Sequence, residues 1–365
     1  MNLTLTPEQE AFGASLNTAC ARHLARLRAA DVEGRQHLIH SLMDSLDLYA
    51  LMLASDEREG QGRIIEAMLV SEALGRWGAN HAFVESVVLC GEFLRLAATS
   101  DQRRRWLEPL ARGTLGLSMP MDADGFPGNA ATARFRRLGE SYCLNARRLL
   151  AADLPSCELL LVPAAGADVK HVHVFGVSRS QTGVCWTKFE ALDGAGWAWV
   201  ELRDVVVDES DTVRLQGAAD ALDHALDAAR VCLCAESLGA AEALFSLTRE
   251  HLATRKQFGQ LLSTNQSLRH KLADMRISLE LMRSMAYLAA AAVAEARTDR
   301  RRSLVSCAKS FIDQRALGMA EQAIQLHGAI GMSAEHAVGD YARRILFVGH
   351  RLKGQWNPLL HEEEQ

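Results

Sequence analysis

Apolar residues recur at helical spacing through the first hundred positions. Ile65, Met68, Leu69, Ala73 and Leu74 form one stripe, Val84–Leu96 continues it, and Trp106, Leu107 and Leu110 line one side of the charged segment 101–112. Thr6 followed by Pro7, Glu8 and Glu10 is a helix start, because proline costs nothing in a first turn whose N–H groups have no helical partner. The pattern changes near Gly113. From Leu115 to about Val213 the runs are short and β-like, as in the alternating His171–Gly176. Turn residues separate them at Asp122–Gly128, Gly139, Gly166 and Asp193–Gly196. Helical spacing returns near Asp220. Leu268, Leu272, Met275, Leu279 and Met282 share a stripe within 265–297, and Leu304, Ala308, Ile312, Ala316, Met319 and Ala323 share another after Ser303. The pattern predicts an α+β chain in three parts: an N-terminal helical domain (1–112), a central β-barrel-like domain (113–217) and a C-terminal four-helix bundle (218–365). The bundle stripes are too apolar to stay in water, so the bundle is expected to drive oligomerisation.

Composition narrows the function classes. With 40 basic against 45 acidic residues and a net charge of −5, the chain lacks the basic excess of a nucleic-acid binder. Its eight cysteines include no CxxC pair, so they read as reduced thiols and no metal site is expected. The polar N-terminus is unlike a signal peptide, and no run reads as a membrane span, which points to a cytoplasmic protein. Other polar residues receive local readings. His171 and His173 share one face of a strand and read as solvent-facing; His23, His37 and His40 are scattered helix positions. His336 beside Glu335 reads as a local cap or pair. Arg297, Arg300, Arg301 and Arg302, interrupted by Asp299, read as a solvated loop, and His361–Gln365 as a frayed tail.

Two segments carry candidate chemistry. The first is Arg255-Lys256-Gln257-Phe258-Gly259, followed by Gln266; the second is Gln325-Leu326-His327-Gly328-Ala329-Ile330-Gly331. A guanidinium at a helix end can meet a diphosphate with paired hydrogen bonds. Phe258 offers a flat apolar face, Gln266 can donate and accept, and Gly328 and Gly331 let backbone amides approach an anion. Taken one at a time, the same residues also fit a locally paired arginine and glycines that merely end a helix.

Together with Leu5-Thr6-Pro7-Glu8-Gln9 and Glu72-Ala73-Leu74-Gly75-Arg76, these segments resemble the acyl-CoA dehydrogenase family. The resemblance implies a helical front, a β middle and a helical rear. It also implies FAD, whose diphosphate and adenine half is held across a subunit interface. By resemblance that role falls to Arg255, Phe258, Gln266, Gln325, Gly328 and Gly331, and Arg230 supports the substrate pocket.

The family pattern breaks where the reaction occurs. Removing a proton next to a thioester needs a carboxylate base. The family places it at one of two positions, which correspond here to Leu352 and Ala229, and neither side chain accepts a proton. The flavin-ring loop corresponds to Ser118–Gly125, with Met119 in place of an acid and Ser118 as the surviving hydroxyl. Leu150-Ala151-Ala152 stands where the family usually has Trp-x-Thr or Trp-x-Ser. Random decay would not be expected to confine the losses to the ring side and keep the tail side. The resemblance is therefore to the non-catalytic subunit of heteromeric α2β2 enzymes that act on steroid side-chain CoA esters. Such a chain would complete the FAD site of a homologous catalytic subunit, with an acyl-CoA substrate and an electron-transfer flavoprotein as further partners. Two other readings stand beside it: a homo-oligomeric dehydrogenase with Glu236 or Asp227 as a relocated base, and a flavin-free structural or regulatory protein on the same fold.

Overall fold

The computed structural model describes residues 5–29, 32–52, 60–78, 83–121, 133–153, 157–166, 172–214, 219–294, 298–333 and 336–353. Helices come first: α1 (Pro7–Ala29), α2 (Val32–Ser45), α3 (Gly60–Arg76), α4 (Gly91–Ala97), α5 (Ser100–Gln102) and α6 (Glu108–Ala111). Thr6 starts α1 as the sequence predicts: Gln9 N–H donates to the Thr6 hydroxyl and the Gln9 side chain accepts from Thr6 N–H. Two stretches, Val84–Cys90 and Arg103–Leu107, are wound as π-helix, which periodicity did not foresee.

Eight strands then form one sheet: β1 (Gly116–Ser118), β2 (Ala133–Leu138), β3 (Ser141–Ala152), β4 (Cys157–Ala165), β5 (Val172–Ser178), β6 (Val184–Glu190), β7 (Gly196–Asp208) and β8 (Thr212–Arg214). The order is β6-β7-β3-β2-β4-β5-β8, with β1 parallel to β4. Leu144, Leu160, Val162, Phe175, Val177, Val200 and Val205 fill its core. The rear of the chain holds α7 (Ala219–Thr254), the two-stranded hairpin β9 (Lys256–Gln257) and β10 (Gln260–Leu261), α8 (Gln266–Ala294), α9 (Thr298–His327) and α10 (Ala337–Gly349). Their buried stripes include Met275, Leu279, Met282, Ala308, Ile312, Ala316 and Ala323, as the spacing predicted.

Compactness groups the chain differently from its linear order. One unit comprises 1–24, 64–79 and 230–365, and the other 25–63 and 80–229. In the first unit α3 and α7 cross backbone to backbone. A β-carbon on Gly75 would run into the Glu236 carbonyl, and one on Gly239 into that of Glu72. Beside this crossing a charge network ties three helices. Arg76 donates to Glu72 at 2.6 Å and to Glu242 at 2.8 Å, and Arg283 of α8 pairs with Glu242. Burial, with the nearby Glu242, raises the Glu72 carboxyl above its usual range, against the pull of Arg76 and Arg283.

Several expectations need correction. Arg301 is buried and the segment from Thr298 is helix, because Asp299 in the first turn favours an α9 start there rather than a loop. Arg297 lies outside the described residues. His173 is half-buried and stacked on Phe135 at 5.1 Å, because an aromatic cluster with Tyr142 and Phe175 forms on that face; His171 is outside the described residues. By length and composition α7 and α8 are apolar enough to cross a membrane, contrary to the sequence reading. In the fold 78% of the α7 window is buried within the structure, as for a core helix, and 39% of the α8 window. The cysteines among the described residues are free thiols, as expected.

Candidate functional site

The two motif segments meet at one end of the first unit. Helix α7 runs to Thr254, and Arg255 N–H still donates to His251 O at 2.9 Å, so Arg255 leaves the helix in a fixed direction. The chain then turns back as β9–β10, with Gln257 opposite Gln260. Phe258 and Gly259 form the two-residue tip with φ of 50° and 82°. That is the left-handed pair a tight hairpin requires, natural for glycine and strained for an aromatic residue. The Phe258 side chain is 99% exposed, so no local packing offsets the strain. Leu262 N–H donates to Arg255 O at 2.9 Å and closes the base of the hairpin. Gln266 is the first, exposed residue of α8. Asn265 caps that helix by accepting from Ser267 N–H at 3.0 Å, a cap the sequence reading missed.

The second segment ends α9. Gln325 is exposed in its last turn, and Gly328 follows with φ of 64° in open space, as a helix-terminating glycine does. Gly331 is buried for another reason: a β-carbon there would sit 3.0 Å from both the His327 Cβ and the Ile324 carbonyl. His251 of α7 and His327 of α9 stack at 4.4 Å, and His336 leans on His327 at 4.9 Å. The Arg255 hairpin and the Gly328 turn are therefore the two loops that leave one stacked helix end. His336 caps α10 by accepting from Val338 N–H, in line with the cap reading, while Glu335 lies outside the described residues.

The ring-side residues belong to the second unit and look inward. Ser118 is buried, and its hydroxyl accepts from Ala152 N–H at 3.2 Å. Ser118 thus ties β1 to the end of β3 through one acceptor site of its hydroxyl. Met119 and Met121 are buried, and Met121 pairs with Leu150 through two backbone hydrogen bonds. Asp122–Gly128 lies outside the described residues.

The positions that the resemblance matches to the family's base are closed as well. Leu352 is 3% exposed and has φ of 45°, and its carbonyl accepts from Arg230 Nε at 3.3 Å. Arg230 is thus placed by the backbone it holds. Nearby, the fully buried Lys309 donates to Asp313 at 2.5 Å and to Val348 O at 3.2 Å, which fixes the end of α10. Burial lifts the Asp313 carboxyl to about 6, against the pull of Lys309, and burial draws Arg351 down to about 9. Ala229 is fully buried.

The two candidate bases are held elsewhere. Glu236 is 3% exposed and accepts from Arg344 Nε at 2.6 Å, in an ion pair closed on both sides by protein. Asp227 is 1% exposed and belongs to the other unit.

Comparison with known proteins agrees with this layout. Residues 6–114 match the acyl-CoA dehydrogenase N-terminal domain and residues 216–349 the acyl-CoA dehydrogenase C-terminal domain. The chain belongs to the acyl-CoA dehydrogenase family. A short-chain-specific acyl-CoA dehydrogenase from Megasphaera elsdenii is 27% identical over 295 residues, covering 77% of this chain and 76% of that protein. Two solved structures share the fold at 24% identity. A variant of the Tcur3481-Tcur3483 steroid ACAD superposes with TM-score 0.83 over 96% of this chain and 95% of its own. The ChsE4-ChsE5 complex from Mycobacterium tuberculosis superposes with TM-score 0.80 over 99% and 98%.

Family membership implies FAD, and the residues present fit one part of it. Exposed Arg255, the outward Phe258 face and the open space beside Gly328 suit a diphosphate joined to an aromatic base. On the other side, Ser118 accepts from Ala152 N–H, Met121 and Leu150 pair through their backbones, and the aromatic stacking side chain usual in the family is replaced by Leu150.

Proposed function

We propose that this chain is the non-catalytic subunit of a heteromeric, FAD-dependent acyl-CoA dehydrogenase. In this reading it completes the FAD site of a homologous catalytic subunit and supplies no base of its own. The observation that carries it is Leu352: the base position holds a buried aliphatic side chain whose carbonyl is taken by Arg230. Arg255, Phe258, Gln266, Gln325, Gly328 and Gly331 would hold the diphosphate and adenine half, and Arg230 would shape the residual pocket. Bound FAD supplies hydride acceptance at the partner's active site, where an acyl-CoA thioester is desaturated. This chain's own residues bind the dinucleotide tail, orient it and keep the two subunits in register. The likeness to the ChsE4-ChsE5 complex and to a steroid ACAD supports a two-chain assembly, of α2β2 form, acting on a steroid side-chain CoA ester. An electron-transfer flavoprotein would reoxidise the flavin, and the assembly would work in the cytoplasm.

The test is co-expression with a homologous catalytic chain, followed by counting flavin per polypeptide. The expected result is a colourless chain alone and a yellow complex with fewer flavins than chains. A yellow homo-oligomer of this chain that oxidises acyl-CoA would sink the proposal in favour of a relocated base. A protein that stays colourless with every homologous chain would point to the structural role.

A further inference from the structure

Three imidazoles join the helix ends that carry the two exposed segments. His251 lies in the last turn of α7, His327 is the last residue of α9, and His336 is the N-cap of α10. The first two rings are nearly parallel, at 30° and 4.4 Å, and the third is tilted at 57°. His327 is 6% exposed; its Nδ1 lies 2.8 Å from Ala323 O, and its Nε2 is buried with no hydrogen-bond partner. A donor on Nδ1 therefore faces the Ala323 carbonyl; that carbonyl and the Leu247 backbone both favour the charged ring, and burial outweighs them. Adding a proton at Nε2 would bury a charge.

The groups facing these rings are cationic or neutral. From α7 come His251 and the Leu247 backbone, just beyond it Arg255, from the cap of α10 His336, and α9 contributes the Ala323 carbonyl. Among the described residues, no carboxylate pairs with any of the three rings. Face-to-face imidazoles attract when neutral and repel when charged. The stack is thus a joint that holds only in the uncharged form. Burial, then His327, His336 and Arg255, lowers His251 below the usual imidazole range, and burial lowers His327.

We propose that His251, His327 and His336 are positioning residues whose stack holds the Arg255 hairpin and the Gly328 turn at the separation the dinucleotide tail requires, and that protonation of His251 and His327 loosens that grip. This rests on the assignment of the two segments to the FAD tail. The sign follows from the depressed values. The neutral form belongs to the ordered end, so its contribution is complete above about pH 6.5. It is lost as pH falls through the lowered range.

The test uses the complex with its catalytic partner and measures FAD affinity at pH 7.5 and 5.5. The wild type should lose at least tenfold over that interval. His251→Phe keeps a ring that cannot be protonated and should lose much less. His251→Ala removes the ring and should bind weakly at both values. Ring-proton NMR of this chain gives a readout without flavin. The His251 and His327 resonances should titrate below the ordinary range, and His251→Phe should shift the His327 titration. An acid loss in His251→Phe equal to that of the wild type, wild-type affinity in His251→Ala, or ordinary and independent titration would each overturn the proposal. Arg255→Ala separates the two levels. If it leaves FAD affinity unchanged, the tail assignment itself fails. If it weakens FAD while His251→Ala does not, only the stack proposal fails.

Discussion

Two regions that the family uses for one cofactor have opposite physical character in this chain. At the end of the bundle, Arg255, Phe258, Gln266, Gln325 and Gly328 are all exposed, and Phe258 is held in a left-handed conformation that nothing in the fold rewards. Along β1 and β3, the equivalent ring-side groups have turned to each other. Ser118 accepts from Ala152 N–H and Met121 pairs with Leu150 through the backbone; Ser118, Met121 and Ala152 are buried and Leu150 half-buried. A binding surface keeps hydrogen-bonding capacity unspent and tolerates strain, whereas a structural element spends its capacity internally. Under the proposed function one half-site is kept and the other lost, and this difference can be attacked by substitution.

The largest effect is expected at the Glu236–Arg344 pair. Arg344→Ala strands a buried carboxylate and should cost about 3–5 kcal/mol by thermal unfolding. If instead Arg344→Ala or Glu236→Gln left stability unchanged and abolished turnover, Glu236 would be a base and the contrast between the two regions would collapse. Next is Glu92. Burial alone would raise this carboxyl, but hydrogen bonds from Arg95 and His224 and their charges hold it at about 2. The folded value lies below the ordinary one, so the stabilisation is present above about pH 4.5 and is lost as pH falls towards 2. Glu92→Gln should therefore lose about 3 kcal/mol at neutral pH, with a gap from wild type that closes in acid. Urea titrations across pH would reveal a constant gap if the sign were wrong.

Arg255→Ala removes a charge-assisted pair worth about 1.5–3 kcal/mol. FAD affinity of the complex should fall roughly ten- to hundredfold, with the melting temperature of the flavin-free protein unchanged. Equal flavin content in variant and wild type would remove the functional side of the contrast. The smallest effect belongs to Ser118→Ala. It leaves the Ala152 N–H without an acceptor and should cost about 1–3 kcal/mol of stability, with flavin content unaltered. Flavin loss at constant stability would mean that Ser118 faces the ring after all.

Much of the fold was legible because burial imposes a period. The α8 and α9 stripes, the Thr6–Gln9 helix start and the break into strands after Gly113 can be read from spacing alone. Candidate site residues could be proposed from the sequence, since Arg255, Gly328 and their neighbours form short ordered motifs. The hydrogen bond of Ser118 was not legible, because a hydroxyl beside a loop looks the same whether it faces a ligand or a strand. Arg301 and His173 were misread for a similar reason. Polar residues look exposed until a tertiary neighbour, such as Phe135, covers them.

By itself the sequence determined the element types, the family and the absence of a proton acceptor at positions 229 and 352, because these depend on local spacing and on residue chemistry. Only the tertiary structure decided that Glu236 is paired with Arg344, 108 positions away, and that His251, His327 and His336 come together. It also decided that the Leu352 carbonyl is occupied by Arg230. Those outcomes depend on which distant groups share a buried space. Hydrogen bonds and charges gain or lose their strength there according to partners that no local pattern encodes.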